Sequence, residues 1–432
     1  MTTDAGAPMR VVYDVSILGA GHRSLLSRTG TYRVTERLAH GLAAAPECEL
    51  RFSAVESARV RGLARAHLAE DPSLRHVPLV APPRAGLVEA LAHPLLRMDL
   101  RPSDAKHVRV ARGVMAQTVK AAEAALGHRR LGDWVDADVF HSPSAPLPRW
   151  AGRGKPPARL LTVLDLIPVL FPELFDVHVL RRFRAVLASL DPDAWAICIS
   201  ASGRDDLCEH TGIDPARVFV TPLAAAPDRF HPVTDAERIA EVKARYGIPD
   251  APYLLSLNTL EPRKNMDHAI RSFIRLVRDE GVRDLYFVLA GTKGWHHDKI
   301  FEAISGAGEL RGRIILPGFV ADEDLAALYS GATAFVYPSL YEGFGLPPLE
   351  AMQCGVPVIT SNTSSLPEVV GDAGIMLDPR DEDALCQAML DLYRTPSLRH
   401  TLRERSLARA RHFSWERCTR DTIAAYRAAS AS

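Results

Sequence analysis

The chain has 432 residues, 47% of them apolar and 24% charged, which fits two or three globular domains and excludes wholesale disorder. Lys+Arg and Asp+Glu stand equal at 52 each, so no global field favours nucleic acid or an anionic membrane. In chain order, short apolar runs at 10–15, 50–55, 77–81, 138–141, 160–164, 196–200 and 218–221 predict strands, with an amphipathic helix at 31–44. A proline-bearing stretch without periodicity, 221–238, follows, and a linker is placed there near Ala226. Beyond it, strands are predicted at 253–257, 285–290, 313–316, 334–337, 356–360 and 374–377. They alternate with helical patterns such as 264–279 and 322–329, and a helix at 415–429 ends the series. Many of the strand runs are apolar throughout, as in parallel sheets covered on both faces. The expected class is α/β, with two doubly wound domains over 1–226 and 227–412 and a C-terminal helical segment over 413–432.

No apolar run approaches the ~18–20 residues that a membrane span needs. MTTDAGAPMR has no apolar core after its charge and does not read as a secretory signal. The six cysteines form no C-x-x-C pair, so reduced thiols in a cytoplasmic chain are expected. The stretch Arg97–Arg130 holds eight Lys/Arg and three acids, with Lys106, Arg109 and Arg112 on one helix face. It reads as a solvated face, or as a peripheral contact with an anionic lipid-linked acceptor at the inner membrane face.

The most informative stretch is YEGFGLPPLEAMQCGVPVIT, 341–360. Gly343-Phe344-Gly345 forms a loop, and Pro347-Pro348 pre-sets the first turn of a helix. Free N–H groups at such a helix start suit a diphosphate. Glu342 precedes the turn and Glu350 lies one turn inside, so the two carboxylates can accept from sugar and ribose hydroxyls. An ordinary loop with two solvated acids fits these residues equally well. The second element is LNTLEPRKN, 257–265, at a strand-to-helix turn. Its adjacent cations Arg263 and Lys264 suit a diphosphate leaving group. The plain alternative is a solvated basic pair, which the helix dipole disfavours. Asn265 is expected to begin the next helix.

Together these tracts resemble the C-terminal half of the GT-B retaining glycosyltransferases of glycosyltransferase family 4. The match includes EPRKN at 261–265, AGTKGW at 290–295, LPGFVADEDLAALYSGA at 316–332 and the run from Tyr337 to Gly374. The wording is similar to the mannosyl-, rhamnosyl- and fucosyltransferase branch of bacterial surface-polysaccharide synthesis. The first half matches more thinly, through YDVSILG, RTGTYR, VFHSP and TVLDLIP. The resemblance implies two Rossmann-like domains facing across a cleft, with the last helix returning to the first domain.

It also implies roles. Arg263 and Lys264 hold the donor diphosphate, Glu342 meets the donor sugar, and Gly343, Phe344 and Gly345 cradle the β-phosphate, with Leu346 also in the donor site. Glu350 holds the ribose, Gly318, Phe319 and Val320 meet the base, and Gly30 and Asn258 complete the donor site. No cofactor or metal is expected, and the donor is a GDP- or dTDP-linked sugar. His141 matches the family and is a catalytic candidate, with a strand-end histidine satisfied by backbone as the alternative. The family usually has His within T-V-H-D-L-I-P, and here Leu164 stands in that place beside Asp165. Both are candidates for donor-sugar specificity. The expected activity is retaining transfer of a hexosyl or 6-deoxyhexosyl unit to a glycan or glycolipid hydroxyl. An epimerase or hydrolase on the same fold, and a silent nucleotide-sugar binder, are the competing readings. Replacing Arg263 or Lys264 is expected to leave folding nearly untouched.

Overall fold

The computed structural model describes residues 7–23, 30–83, 85–100, 106–125, 130–292, 294 and 298–431. The first half contributes β1 (Met9–Asp14), β2 (Cys48–Ser53), β3 (Arg130–Leu131), β4 (Val139–Ser142), β5 (Arg149–Trp150), β6 (Ala158–Val163), β7 (Ala194–Cys198) and β8 (Val218–Val220). Six of these form a parallel sheet in the order β2-β1-β4-β6-β7-β8, while β3 and β5 pair with each other. The second half contributes β9 (Tyr253–Leu257), β10 (Tyr286–Ala290), β11 (Ile314–Gly318), β12 (Ala334–Tyr337), β13 (Val358–Ser361) and β14 (Gly374–Leu377). Their parallel order is β11-β10-β9-β12-β13-β14.

Helices cover both faces of each sheet, which is why the central strands are apolar throughout. Leu254, Leu255, Phe335 and Val336 have no exposure at all. Strand order reverses between β1 and β4 in the first sheet and between β9 and β12 in the second. A crevice forms at such a reversal, outside the carboxyl ends of the strands. The segments leaving β9 and β12 are the two tracts that carry the candidate chemistry.

The run 77–81, expected as a strand, makes one bridge to β2 through Phe52 and Leu79. Phe52 donates to Pro78 O and Val80 to Phe52 O, each at 2.8 Å. Pro78 has no N–H, and Pro82 and Pro83 follow, so the ladder cannot extend. The short β3–β5 ladder was not expected, because two-residue strands leave no alternation to read.

The helix Trp415–Ser430 packs against the helix Gly30–Ala44 and against β6 and β7 of the first sheet. Two further helices, Ala85–Leu100 and Lys106–Ala125, carry the basic stretch. Residues 101–105 and 126–129, and the side chains of Lys106, Arg109 and Arg112, lie outside the described ones. These helices expose Leu87, Leu91, Val110 and Val114. Among the described residues no helix is long and apolar enough to cross a membrane. All six cysteines are free thiols, with Cys198, Cys354 and Cys418 buried.

Candidate functional site

The chain leaves β9 and tightens into a 3-10 turn, Pro262–Lys264. Asn265 then takes a left-handed conformation (φ 59°) ahead of the helix Met266–Asp279. Its side chain does not cap that helix. It donates instead to Pro338 O at 3.1 Å and Pro379 O at 2.7 Å, fastening this turn to the segments after β12 and β14. Arg263 and Lys264 are each 8% exposed. Lys264 Nζ donates to Glu342 Oε1 and to Tyr337 Oη, both at 2.6 Å. Arg263 Nη1 lies 3.0 Å from Glu342 Oε2 and 2.6 Å from Tyr341 O, and Nη2 pairs with Glu261.

The expectation that these cations are dispensable for folding is therefore corrected. They are buried and form the counter-charge of a buried carboxylate. Burial works to raise the Glu342 carboxyl, yet Lys264 and Arg263 outweigh it and hold it at about 2. Burial also pulls Lys264 below its ordinary value, against the attraction of Glu342. Burial opposes the charge on Arg263 too, but Glu342 and Glu261 more than compensate and raise it.

Glu342 opens the loop Glu342-Gly343-Phe344-Gly345, which feeds the helix Leu346–Gln353 with proline in its first turn. Gly345 sits at φ 109°, where a side chain is strained. A Cβ on Gly343 would meet Leu164 O at 2.4 Å and Asp165 Cβ at 2.7 Å. The loop thus lies directly against the first domain, and only glycine permits that approach. Ser364 accepts from Glu342 N at 2.9 Å. Ser365 donates to Glu342 O at 2.9 Å and to Phe344 O at 2.8 Å.

Glu350 is on the same helix and accepts from Tyr329 Oη at 3.0 Å. Burial raises its carboxyl to about 7, with Arg33, Asp322 and Arg229 as the nearby charges. Hydroxyl donors prefer the carboxylate form. The affinity for a nucleoside diphosphate is therefore expected to rise between pH 6 and 8, up to ~10-fold per unit below the midpoint. In Glu350→Gln this component is expected to vanish. Calorimetry at fixed ionic strength checks it, and identical pH profiles in the two proteins would remove Glu350 from ribose binding. For stability the sign is opposite. The fold favours the protonated form, so this contribution is full below pH 4.5 and is lost as pH rises through about 7.

Near Glu350, Asp322 bridges the two halves. It receives Arg33 at 3.2 Å from the first domain and Arg229 at 2.7 Å from the linker. The turn at Gly318 (φ 76°) presents Phe319, which is 68% exposed, while Val320 is buried. Asn258 donates to Ser256 at 2.8 Å, and its buried Oδ1 has no partner among the described residues. Gly30 begins its helix, and among the described residues outside its own turn no atom lies within 4 Å of where a Cβ would stand. Leu346 is half-buried in the first turn after Gly345. Arg28 and Thr29 of RTGTYR, and Lys293 and residues 295–297, lie outside the described residues.

The tract after β6 brings Leu164 and Asp165 to the same loop. Leu164 is half-buried against an apolar cluster drawn from both domains, and its carbonyl abuts Gly343. Asp165 accepts from Ile167 N at 2.9 Å, and burial raises its carboxyl with Arg263, Glu342 and Lys264 as charged neighbours. His141 is different. It has no exposure, Nδ1 pairs with Tyr426 Oη at 2.6 Å, and Nε2 pairs with Thr162 Oγ1 at 2.7 Å. Burial depresses its pKa to about 3. The catalytic reading of His141 is corrected: Nδ1 ties the last helix to the sheet and Nε2 ties β4 to β6, so neither ring nitrogen is free for proton transfer.

Tyr337, Tyr329, Ser364, Ser365, Arg33 and Asp322 were not singled out from sequence. All but Arg33 fall inside or beside the second-half tracts quoted above, so their position was marked although their partners were not.

Residues 239–409 match the family described as Glycosyl transferases group 1. Over 307 residues the chain is 37% identical to O-antigen chain mannosyltransferase B of Escherichia coli, covering 70% of this chain and 78% of that one. It is 34% identical over 253 residues to the serotype-specific mannosyltransferase WbdA of Escherichia coli, covering 58% of this chain but only 31% of that longer protein. Among solved structures, sucrose-phosphate synthase from Thermosynechococcus elongatus superposes with a TM-score of 0.63 at 20% identity. That superposition covers 97% of this chain and 98% of that one. The last comparison shows the fold, the GT-B arrangement.

Proposed function

The chain belongs to the glycosyl transferases of group 1, and on that premise we propose that it moves a manno-configured hexosyl or 6-deoxyhexosyl unit from a GDP- or dTDP-linked donor to a glycan or glycolipid hydroxyl, with retention, in surface-polysaccharide synthesis. The observation that carries this reading is the convergence of Arg263, Lys264 and Glu342 beside the glycine loop and helix start at 343–346. The mannosyltransferase names of the two curated relatives support the sugar configuration.

In the structure Glu342 pairs with both cations and Glu261 with Arg263, so two acids balance the two cations. A diphosphate arriving at the helix start brings its own negative charge to Arg263 and Lys264. Glu342 is then displaced from them and becomes free to accept from the donor-sugar hydroxyls. The C1–O bond to the diphosphate breaks and the C1–O bond to the acceptor forms on the same face. The acceptor proton passes to a diphosphate oxygen, while Arg263 and Lys264 stabilise the leaving group.

The test is a thermal-shift screen of GDP-, UDP- and dTDP-sugars, followed by donor turnover with and without acceptor. A true donor at about 100 times its Kd stabilises the fold by ~2.7 kcal/mol. Turnover that needs an acceptor hydroxyl supports transfer. Acceptor-independent turnover would make the chain a hydrolase or epimerase, and stabilisation without turnover a silent binder.

A further inference from the structure

The donor loop is held by more than its own domain. Ser365 and Ser364 tie Glu342 and Phe344 to the segment that starts the helix Leu366–Val370. That short helix carries Glu368, whose carboxylate crosses to the first domain. Oε2 accepts from Ala201 N and Oε1 from Ser202 N, both at 2.7 Å. These are the first two N–H groups of the helix Ala201–Thr211, which has no acid of its own in its first turn. Its cap residue, Ser200, is 1% exposed and donates back across the boundary to Gly343 O at 2.8 Å. Tyr341 adds a hydroxyl bond to Asp206 on the same helix.

The bonds close a circuit. It runs from the donor loop through Ser364 and Ser365 to Glu368, across to residues 201 and 202, and through Ser200 back to Gly343. We propose that Glu368 is a positioning residue, which caps the helix Ala201–Thr211 from the opposite domain and thereby fixes the donor loop in its donor-holding orientation only when the two domains are together. The proposal rests on loop 342–345 holding the donor.

A carboxylate accepting two N–H bonds at a helix start is charge-assisted and tolerates little displacement. If either domain swings, Ser200 and Glu368 release together and the loop loses its cross-domain supports at once. Glu368 itself stands outside the donor loop and bonds to the first domain, so it acts through the loop.

The experiment uses the full chain and three variants: Glu368→Ala, Glu368→Gln, and Glu368→Ala combined with Ser202→Asp. The last supplies an acid to the helix start from its own domain, without the crossing. Glu368→Ala is expected to lower kcat/KM roughly 10- to 100-fold, the range for losing hydrogen bonds to a charged group. It should also speed amide hydrogen exchange in residues 342–345, with Glu368→Gln in between. In the combined variant the melting temperature is expected to recover while kcat/KM stays low and the loop stays fast. Recovery of activity along with stability would reduce Glu368 to a local cap and overturn the proposal, as would wild-type loop exchange in Glu368→Ala. The exchange readout needs no substrate. A wild-type chain that binds no nucleotide sugar would therefore defeat the functional reading separately.

Discussion

Replacing Lys264 by alanine is expected to lower turnover ~10²–10³-fold and to destabilise the second domain at the same time. The rate loss follows from removing a preorganised charge that faces the developing negative charge on the diphosphate. The stability loss follows from the ground state. Lys264 is one of two cations on the buried Glu342, at 2.6 Å, and the other is Arg263 at 3.0 Å. Stripping one partner from a buried ion pair costs ~3–5 kcal/mol, and retention of Arg263 places this case near the lower end. The two effects separate in a second variant. Lys264→Met with Glu342→Gln removes both charges of the pair and is expected to recover most of the melting temperature while remaining inactive. Melting curves and single-turnover assays of the variants decide it. Wild-type turnover in Lys264→Ala would end the clamp assignment, and an unchanged melting temperature would mean that the ion pair contributes nothing.

The second large effect is expected at Leu164, in donor choice. This residue meets the loop of Glu342 through its carbonyl at Gly343, in the place where the resemblance sets a histidine beside the donor sugar. A 6-hydroxyl facing leucine loses a partner at ~1–3 kcal/mol. A 6-deoxy methyl gains contact worth up to ~0.8 kcal/mol. The wild type is expected to prefer 6-deoxy donors by roughly 10- to 100-fold over their 6-hydroxy counterparts. Competition between GDP-D-mannose and GDP-D-rhamnose, which differ only at C6, measures this. Leu164→His should narrow the gap. A preference for the 6-hydroxy member, as the names of the mannosyltransferase relatives would have it, would leave Leu164 as core packing.

The positions of the chemistry were legible where they rest on local backbone rules. Gly345 at φ 109°, the proline-started helix behind it and the tight turn at 262–264 are short-range features, and each was readable from neighbouring residues. The pairings were not. Lys264 and Glu342 stand 78 positions apart. They meet because β9 and β12 are neighbours in the sheet, a fact of strand order that no local pattern encodes. The dispensability expected of Lys264 overlooked this, because its carboxylate partner Glu342 lies far off in sequence and Glu261, the nearby buried acid, pairs with Arg263 instead. His141 shows the same limit from the other side. A histidine at a strand end in a family motif suggested catalysis, but its partners Thr162 and Tyr426 lie 21 and 285 positions away. The strand expected at 77–81 failed locally, because its apolar run outweighed the prolines that prevent pairing.

The seat of His141 has a consequence for how the protein is made. The sheet of the first domain is complete in sequence at Val220, yet one of its faces is covered by the helix Trp415–Ser430, with Tyr426 bonded to the histidine. A ribosome working at roughly 5–20 residues per second takes on the order of 10–40 s to cross that gap. Throughout that interval His141 is without the Tyr426 hydroxyl that it meets in the finished fold. Closing this face of the first domain is therefore a late step, which waits on a segment made after the second domain.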